Sequence, residues 1–306
     1  MIPSDTASAA KPWQESFLEE HRLPDDYLDT ANRCFEPLAA IIAKRRQASG
    51  ASLRIALNGS QGSGKSTLAA YLCRCLKEEH GLTAVALSLD DFYLTRAERR
   101  ELAERIHPLL LTRGVPGTHD VGLLRDVLKA LGQESERPVF IPRFDKSTDD
   151  RAAKDVWTLI DAPVDVVVLE GWCLGAKSET PEVVAQPINA LERDEDPDAR
   201  WRSYSNQLLK DQYEALYAEL DFWVMLAAPG FDEVLRWRTQ QEQKLRESVA
   251  GEGEGLMSDA ALSRFVQHFE RYTRQCLRDM PQRVDVLLKL SGDRSIVRTH
   301  GLELRT

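Results

Sequence analysis

Apolar residues recur at three- and four-residue spacing from residue 13 to about 46, interrupted by Pro24 and Pro37, which predicts a group of helices ahead of the first strand. The run Leu53-Arg54-Ile55-Ala56-Leu57 predicts a short strand, followed by a glycine-rich turn and a helix over about 65–79. A second strand is expected over about 84–89. Residues 96–132 read as mainly helical, with a loop around 114–120, and Val139-Phe140-Ile141-Pro142 as a short extended piece. The β-branched run at 164–169 has no polar break, as a strand buried on both faces of a parallel sheet requires. Residues 178–199 are rich in Pro, Glu and Asp, lack periodicity and predict an exposed loop. Beyond them the pattern gives a helix over about 201–219, a strand at 222–226 and a charged helix over about 231–247. The run Gly251-Glu252-Gly253-Glu254-Gly255 predicts a flexible hinge. A helix over 259–277 capped by Ser258 and a last core strand at 284–288 complete the chain.

Strands alternating with helices predict one α/β domain, a parallel sheet covered on both faces with a helical insertion between its second and third strands. Residues 1–50 form a helical preface and 51–306 the main domain. Of the 306 residues, 42% are hydrophobic and 29% charged, so a substantial core can form. The excess of 49 acidic over 40 basic residues gives a net charge of -9, which disfavours nucleic-acid backbones and anionic membranes. An anionic substrate would need cations gathered locally. The longest apolar runs are too short to cross a bilayer, and the first residues lack the basic-then-apolar order of a secretion signal. Five scattered cysteines with no paired CxxC units fit a reduced, cytoplasmic interior.

Against this background one segment stands out. Gly59-Ser60-Gln61-Gly62-Ser63-Gly64-Lys65-Ser66 fits GxxxxGK(S/T) at every fixed position, with Thr67 following, between a strand and a helix. Glycines let the backbone wrap a phosphate, whose charge the N–H groups and helix N-terminus bind. Lys65 is then expected to reach the β- and γ-phosphates of ATP, and Ser66 to ligate Mg²⁺. The second strand ends in Asp90-Asp91-Phe92-Tyr93, and ligands in open parallel sheets lie beyond the carboxyl ends of strands. Asp90 can accept the proton of an attacking hydroxyl, and Asp91 stands beside it; capping of the following helix is the alternative use of both. The buried run Val166-Val167-Val168-Leu169 ends in Glu170, expected on the metal side unless it lies in a surface turn. No Asn-Lys-x-Asp sequence occurs, which argues against a GTPase.

These motifs, in this order, resemble the phosphoribulokinase, uridine kinase and pantothenate kinase group, and within it the D-glycerate 3-kinases. The segments that carry the likeness are Ser88-Leu89-Asp90-Asp91-Phe92-Tyr93-Leu94-Thr95, Arg113-Gly114-Val115-Pro116-Gly117-Thr118-His119-Asp120, Pro142-Arg143-Phe144-Asp145-Lys146-Ser147, Leu169-Glu170-Gly171-Trp172 and Trp237-Arg238-Thr239-Gln240-Gln241-Glu242. The resemblance implies a three-layer P-loop NTPase fold, transfer of the ATP γ-phosphate to the 3-hydroxyl of D-glycerate, Asp90 as base and Glu170 at the metal. It also implies a lid at about 231–257 with Arg236, Arg238, Lys244 and Arg246 as candidate cations, although their interleaving with Glu233, Glu242 and Glu247 also suits a solvated helix. Asp91 stands where relatives carry Ser or Gly.

A small substrate with one carboxylate calls for planar cationic donors. Arg113 and Arg143 fall in loops, with His119 and Lys146 nearby, and Asp91 and Tyr93 complete the expected acceptor side; His119 has helix capping as its alternative. The rival readings are a sibling kinase for a nucleoside, pantothenate or another polyol, a regulatory ATP-binding protein, and a nucleic-acid ATPase, the last opposed by the acidic charge.

Overall fold

The computed structural model describes residues 10–134, 137–248 and 258–303. Six strands form one sheet: β1 (Leu53–Gly59), β2 (Ala84–Ser88), β3 (Val166–Gly171), β4 (Phe222–Ala227), β5 (Val286–Leu290) and β6 (Ile296–His300), in the spatial order β6-β5-β4-β1-β3-β2. The five pairings of the sheet are not all alike. β2, β3, β1, β4 and β5 run parallel to their neighbours, whereas β6 pairs antiparallel with β5 and closes one edge. The expected last core strand is thus the penultimate one. β6 escapes a hydrophobic reading because Ile296 is buried while Val297, Arg298, Thr299 and His300 are exposed.

Alternation along the strands sorts side chains into two cores. Ile55, Leu57, Val166, Val168, Val224 and Leu226 face the layer built from the N-terminal helices, the Lys65–His80 helix and the Phe231–Ser248 helix. Ala56, Val167, Leu169 and Met225 face the insertion and the helices after β3. The long Asp259–Asp279 helix serves both, with Leu262 and Val266 on one side and Phe269, Tyr272 and Cys276 on the other. Continuous apolar sequence in β3 is therefore the mark of two covered faces.

The N-terminal helices pack on the Lys65–His80 helix through Trp13, Phe17, Tyr27, Phe35 and Tyr71, whose rings lie 5.2–6.4 Å apart where they touch. Buried Gln14 donates to the Tyr71 hydroxyl (3.0 Å). Pro24 separates the first two helices, but Pro37 breaks nothing. A π-helical turn at Ala31–Phe35 precedes it, so the chain stays helical where the proline lacks an N–H and crowds the preceding turn.

Residues 178–199 are not a loose loop, contrary to their composition. They hold two short helices, Pro181–Ala185 and Ala190–Glu195, with Val184 and Leu191 buried. Glu182, Asp194, Glu195 and Asp198 are exposed, as the composition suggested, but Glu192 and Asp196 are buried against buried arginines. Arg202, almost fully buried, donates to the carbonyls of Val184, Ala185, Glu192 and Asp196 and to the Asp196 carboxylate (2.5–3.2 Å). Arg271 makes a two-pronged pair with buried Glu192 (2.6 and 2.8 Å). Removing one member of such a buried set leaves several groups unsatisfied. Arg202→Met should cost about 3–5 kcal/mol in urea unfolding; a loss below about 1 kcal/mol would mean that this pair does not pin the segment.

Candidate active site

β3 lies between β1 and β2, with Glu170 opposite Leu57 on one side and Ser88 on the other. The carboxyl ends of three adjacent parallel strands thus deliver, in a row, the glycine-rich loop, Glu170 and the Leu89–Phe92 turn that carries Asp90.

The loop after β1 is shaped by its glycines. Gly62 and Gly64 have φ of +77° and +87°, which side chains rarely tolerate. A Cβ on Gly59 would stand 2.6 Å from Ser63 Oγ, and one on Gly62 only 2.8 Å from the Cβ of Trp237. Trp237 is fully buried and donates its indole N–H to the Gly292 carbonyl (2.8 Å). Arg294, in the turn after β5, donates to the Gly62 carbonyl (2.7 Å) and lies 5.1 Å over the Trp237 ring. The loop is therefore buttressed by a tryptophan and an arginine. Ser60 Oγ, Gln61 Oε1 and Ser63 Oγ are buried there without a partner. Native proteins rarely leave such groups unsatisfied, so these are the marks of a cradle for a polar ligand.

Lys65 and Ser66 open the helix. Ser66 donates to Glu170 Oε1 (2.8 Å), and the Lys65 ammonium lies 3.8 Å from Oε2, which has no hydrogen bond of its own. Glu170 is 5% exposed, which removes the surface-turn alternative. Among the described residues no group of three or more His, Cys, Asp or Glu could hold a metal by itself. A hydroxyl and one carboxylate do suit a hard cation that takes its remaining ligands from phosphate and water. Thr67 follows one residue into the helix.

Asp90 accepts from the Tyr93 hydroxyl (2.9 Å) and from Lys146 (2.9 Å). Burial alone would raise its pKa, but the charges of Lys146 and Lys65 outweigh it and hold the carboxyl at about 2. The helix-capping alternative fails for both aspartates, because Thr95 caps the following helix in a reciprocal pair with Glu98. Asp91 accepts instead from the Phe144 N–H (3.1 Å) and from Arg143 (3.0 Å), binding the 143–151 segment to the strand end.

His119 stacks on Tyr93 at 4.5 Å and pairs with Tyr213 through Nδ1 (2.7 Å). Burial lowers its pKa to about 4, so the ring is neutral. Tyr213 already accepts from the Gly117 N–H (3.1 Å); donating its own proton to Nδ1 then leaves the ring proton on Nε2, a buried atom with no partner. Capping of the next helix falls to Asp120, which accepts from Leu123 N–H (2.9 Å). Arg113 is held by Asp149, which also binds the buried Arg99.

The candidates around Asp90 therefore come together: Asp90, Asp91, Tyr93, His119, Arg113 and Arg143 share one neighbourhood. Arg238 lies 6.0 Å over the Phe265 ring, and Arg236 pairs with Glu233, as a solvated helix allows. The side chains of Lys244 and Arg246 and the hinge at 251–255 lie outside the described residues. Sequence reasoning gave Trp237 no role and missed Arg294 altogether. Trp237 stood within a motif that carried the resemblance; Arg294, in a turn of Ser, Gly and Asp, gave no signal.

No protein-family profile matches the chain. An uncharacterized kinase, mug58, of Schizosaccharomyces pombe is 32% identical over 269 residues, covering 84% of this chain and 89% of that protein. A probable ATP-dependent kinase, TDA10, of Saccharomyces cerevisiae is 31% identical, with 90% and 89% covered. The chloroplastic D-glycerate 3-kinase of Arabidopsis thaliana is 31% identical over 71% of this chain, which spans only 46% of the plant protein. Among solved structures, a D-glycerate 3-kinase from Cryptococcus neoformans superposes with a TM-score of 0.72 at 26% identity, covering 87% of this chain and 97% of that one. On these likenesses the chain belongs to the family of ATP-dependent P-loop kinases that includes D-glycerate 3-kinase.

Proposed function

We propose that this kinase transfers the γ-phosphoryl group of ATP to the 3-hydroxyl of D-glycerate, giving 3-phosphoglycerate. The observation that carries the reading is the row of three strand ends, where Lys65, the Ser66–Glu170 pair and Asp90 stand side by side. Two D-glycerate 3-kinases among the relatives support the choice of acceptor.

In this reading the backbone of residues 59–67, with Ser60, Gln61 and Ser63, would hold the ATP phosphates, and Lys65 would neutralise charge on the transferring group. Ser66 and Glu170 would hold Mg²⁺, which supplies charge neutralisation between the phosphates. Asp90, fixed by the Tyr93 hydroxyl, orients the acceptor hydroxyl and takes its proton as attack proceeds. While Lys146 and Lys65 face it the carboxyl is held low, at about 2, and is a poor base; it gains basicity as those cations turn to bound anions. The neutral His119 offers an N–H to an acceptor oxygen, while Arg113 and Arg143 lend positive charge to the pocket wall. Arg238 belongs to the lid helix and would approach ATP only on closure.

An ATP-consumption assay over a panel of hydroxylated metabolites tests the substrate directly. D-glycerate should accelerate ADP release far above every nucleoside, pantothenate or neutral polyol, and silence towards D-glycerate would refute the choice. Asp90→Asn should lower kcat by about 10²–10⁴-fold while ATP affinity stays within a factor of a few; a variant that kept most of its rate would remove Asp90 from the role of base. Glu170→Gln should raise the Mg²⁺ concentration for half-maximal rate by about 10–100-fold. An unchanged Mg²⁺ dependence would take Glu170 away from the metal.

A further inference from the structure

The acceptor side is rich in cations, yet most of them already have permanent partners. Arg99 and Arg113 share Asp149, Arg143 holds Asp91, and Arg151 binds both Asp120 and the Tyr93 carbonyl. Each of these contacts ties one segment of the pocket wall to another. Lys146 is different, because its partner is Asp90 itself, at 2.9 Å.

The seat of Lys146 is well built. The short strand pair Phe144–Asp145 and Asp150–Arg151 is anchored at its base by the Phe144 N–H and Arg143 on Asp91 and by Arg151 on Tyr93 and Asp120. Its tip turns sharply, with Asp145 accepting from the N–H and hydroxyl of Ser147 (2.8 and 2.6 Å). From this fixed turn a long, flexible side chain, 61% exposed, reaches across to Asp90 Oδ2. Since Tyr93 occupies Oδ1, both oxygens of the candidate base are engaged. Each carboxylate oxygen keeps a further lone pair, but an Asp90 paired with Lys146 is a weaker acceptor and base for an incoming hydroxyl than one whose lysine has turned to another anion. The lysine end of the pair is open to solvent, so an arriving anion can compete with Asp90 for it.

We propose that Lys146 binds the carboxylate of the acceptor, giving up Asp90 as the substrate enters. This rests on the reading of the acceptor as a small hydroxy acid. A neutral polyol brings no counter-charge and leaves the Lys146–Asp90 pair closed; the hydroxy acid both fills the cation and frees the base. Selectivity for acids and suppression of idle ATP hydrolysis then have one cause.

The test compares wild type, Lys146→Met and Lys146→Arg on D-glycerate and on its neutral amide, by initial rates and by calorimetric titration with D-glycerate. Lys146→Met should raise the KM for D-glycerate by about 10–100-fold, weaken calorimetric affinity to match, and abolish the preference for acid over amide. Lys146→Arg should recover most of both. ATP affinity and the thermal midpoint serve as controls that the variant is folded. Unchanged D-glycerate affinity in Lys146→Met, or equal falls in kcat on acid and amide with KM preserved, would overturn the proposal. If wild type ignores D-glycerate, the substrate reading falls by itself. Lys146 is then judged on the acid and amide of whichever hydroxy compound drives ADP release, and a best acceptor without a carboxylate would overturn that assignment too.

Discussion

The parallel register of β3 between β1 and β2 is the constraint on which the rest of the site depends. Backbone hydrogen bonds set Glu170 level with Leu57 and Ser88, two residues from the loop on one side and from Asp90 on the other. A shift of one residue would turn Glu170 to the opposite face and bury the wrong side of Val166–Leu169 in both cores at once. The price of a slip is therefore the whole apolar packing of the central strand, and the catalytic geometry inherits that rigidity.

What surrounds the three strand ends divides into fixed and exchangeable contacts. Trp237 and Arg294 support the phosphate-binding loop, and the Ser66–Glu170 bond joins the loop to the sheet. On the acceptor side Asp91 and Asp149 use their charge to lock loop segments, each through partners within the protein. Buried atoms without partners, namely Ser60 Oγ, Ser63 Oγ, Glu170 Oε2 and His119 Nε2, mark where satisfaction must come from elsewhere. The contact on Asp90 whose cation stands open to solvent is the one from Lys146.

Much of this was legible in the chain. The phosphate-binding loop could be read because its glycines are required one by one by backbone geometry and close approach, and β3 because a strand covered on both faces cannot carry polar residues until it ends. Other parts failed for physical reasons. The 178–199 segment is largely exposed as its composition suggested, but its two short helices were not foreseen; Arg202 comes from the next helix and Arg271 from a distant one, and no local pattern announces either. β6 was missed because an edge strand with one buried residue has no apolar signature. Asp91 was already set apart from Asp90, standing where relatives carry Ser or Gly, but its partners were out of reach, since Arg143 and the Phe144 N–H lie more than fifty residues away in sequence. Arg294 acts through a backbone carbonyl, which leaves no trace in residue type.

A crystal structure of the complex with Mg²⁺, a non-hydrolysable ATP analogue and D-glycerate puts the central claim to its most direct test. The account predicts the terminal phosphate between Lys65 and Asp90, the metal touching the Ser66 hydroxyl on its Glu170 side, and an acceptor hydroxyl on Asp90. A nucleotide bound away from the 59–67 loop, or an acceptor whose hydroxyls all face away from Asp90, would contradict it.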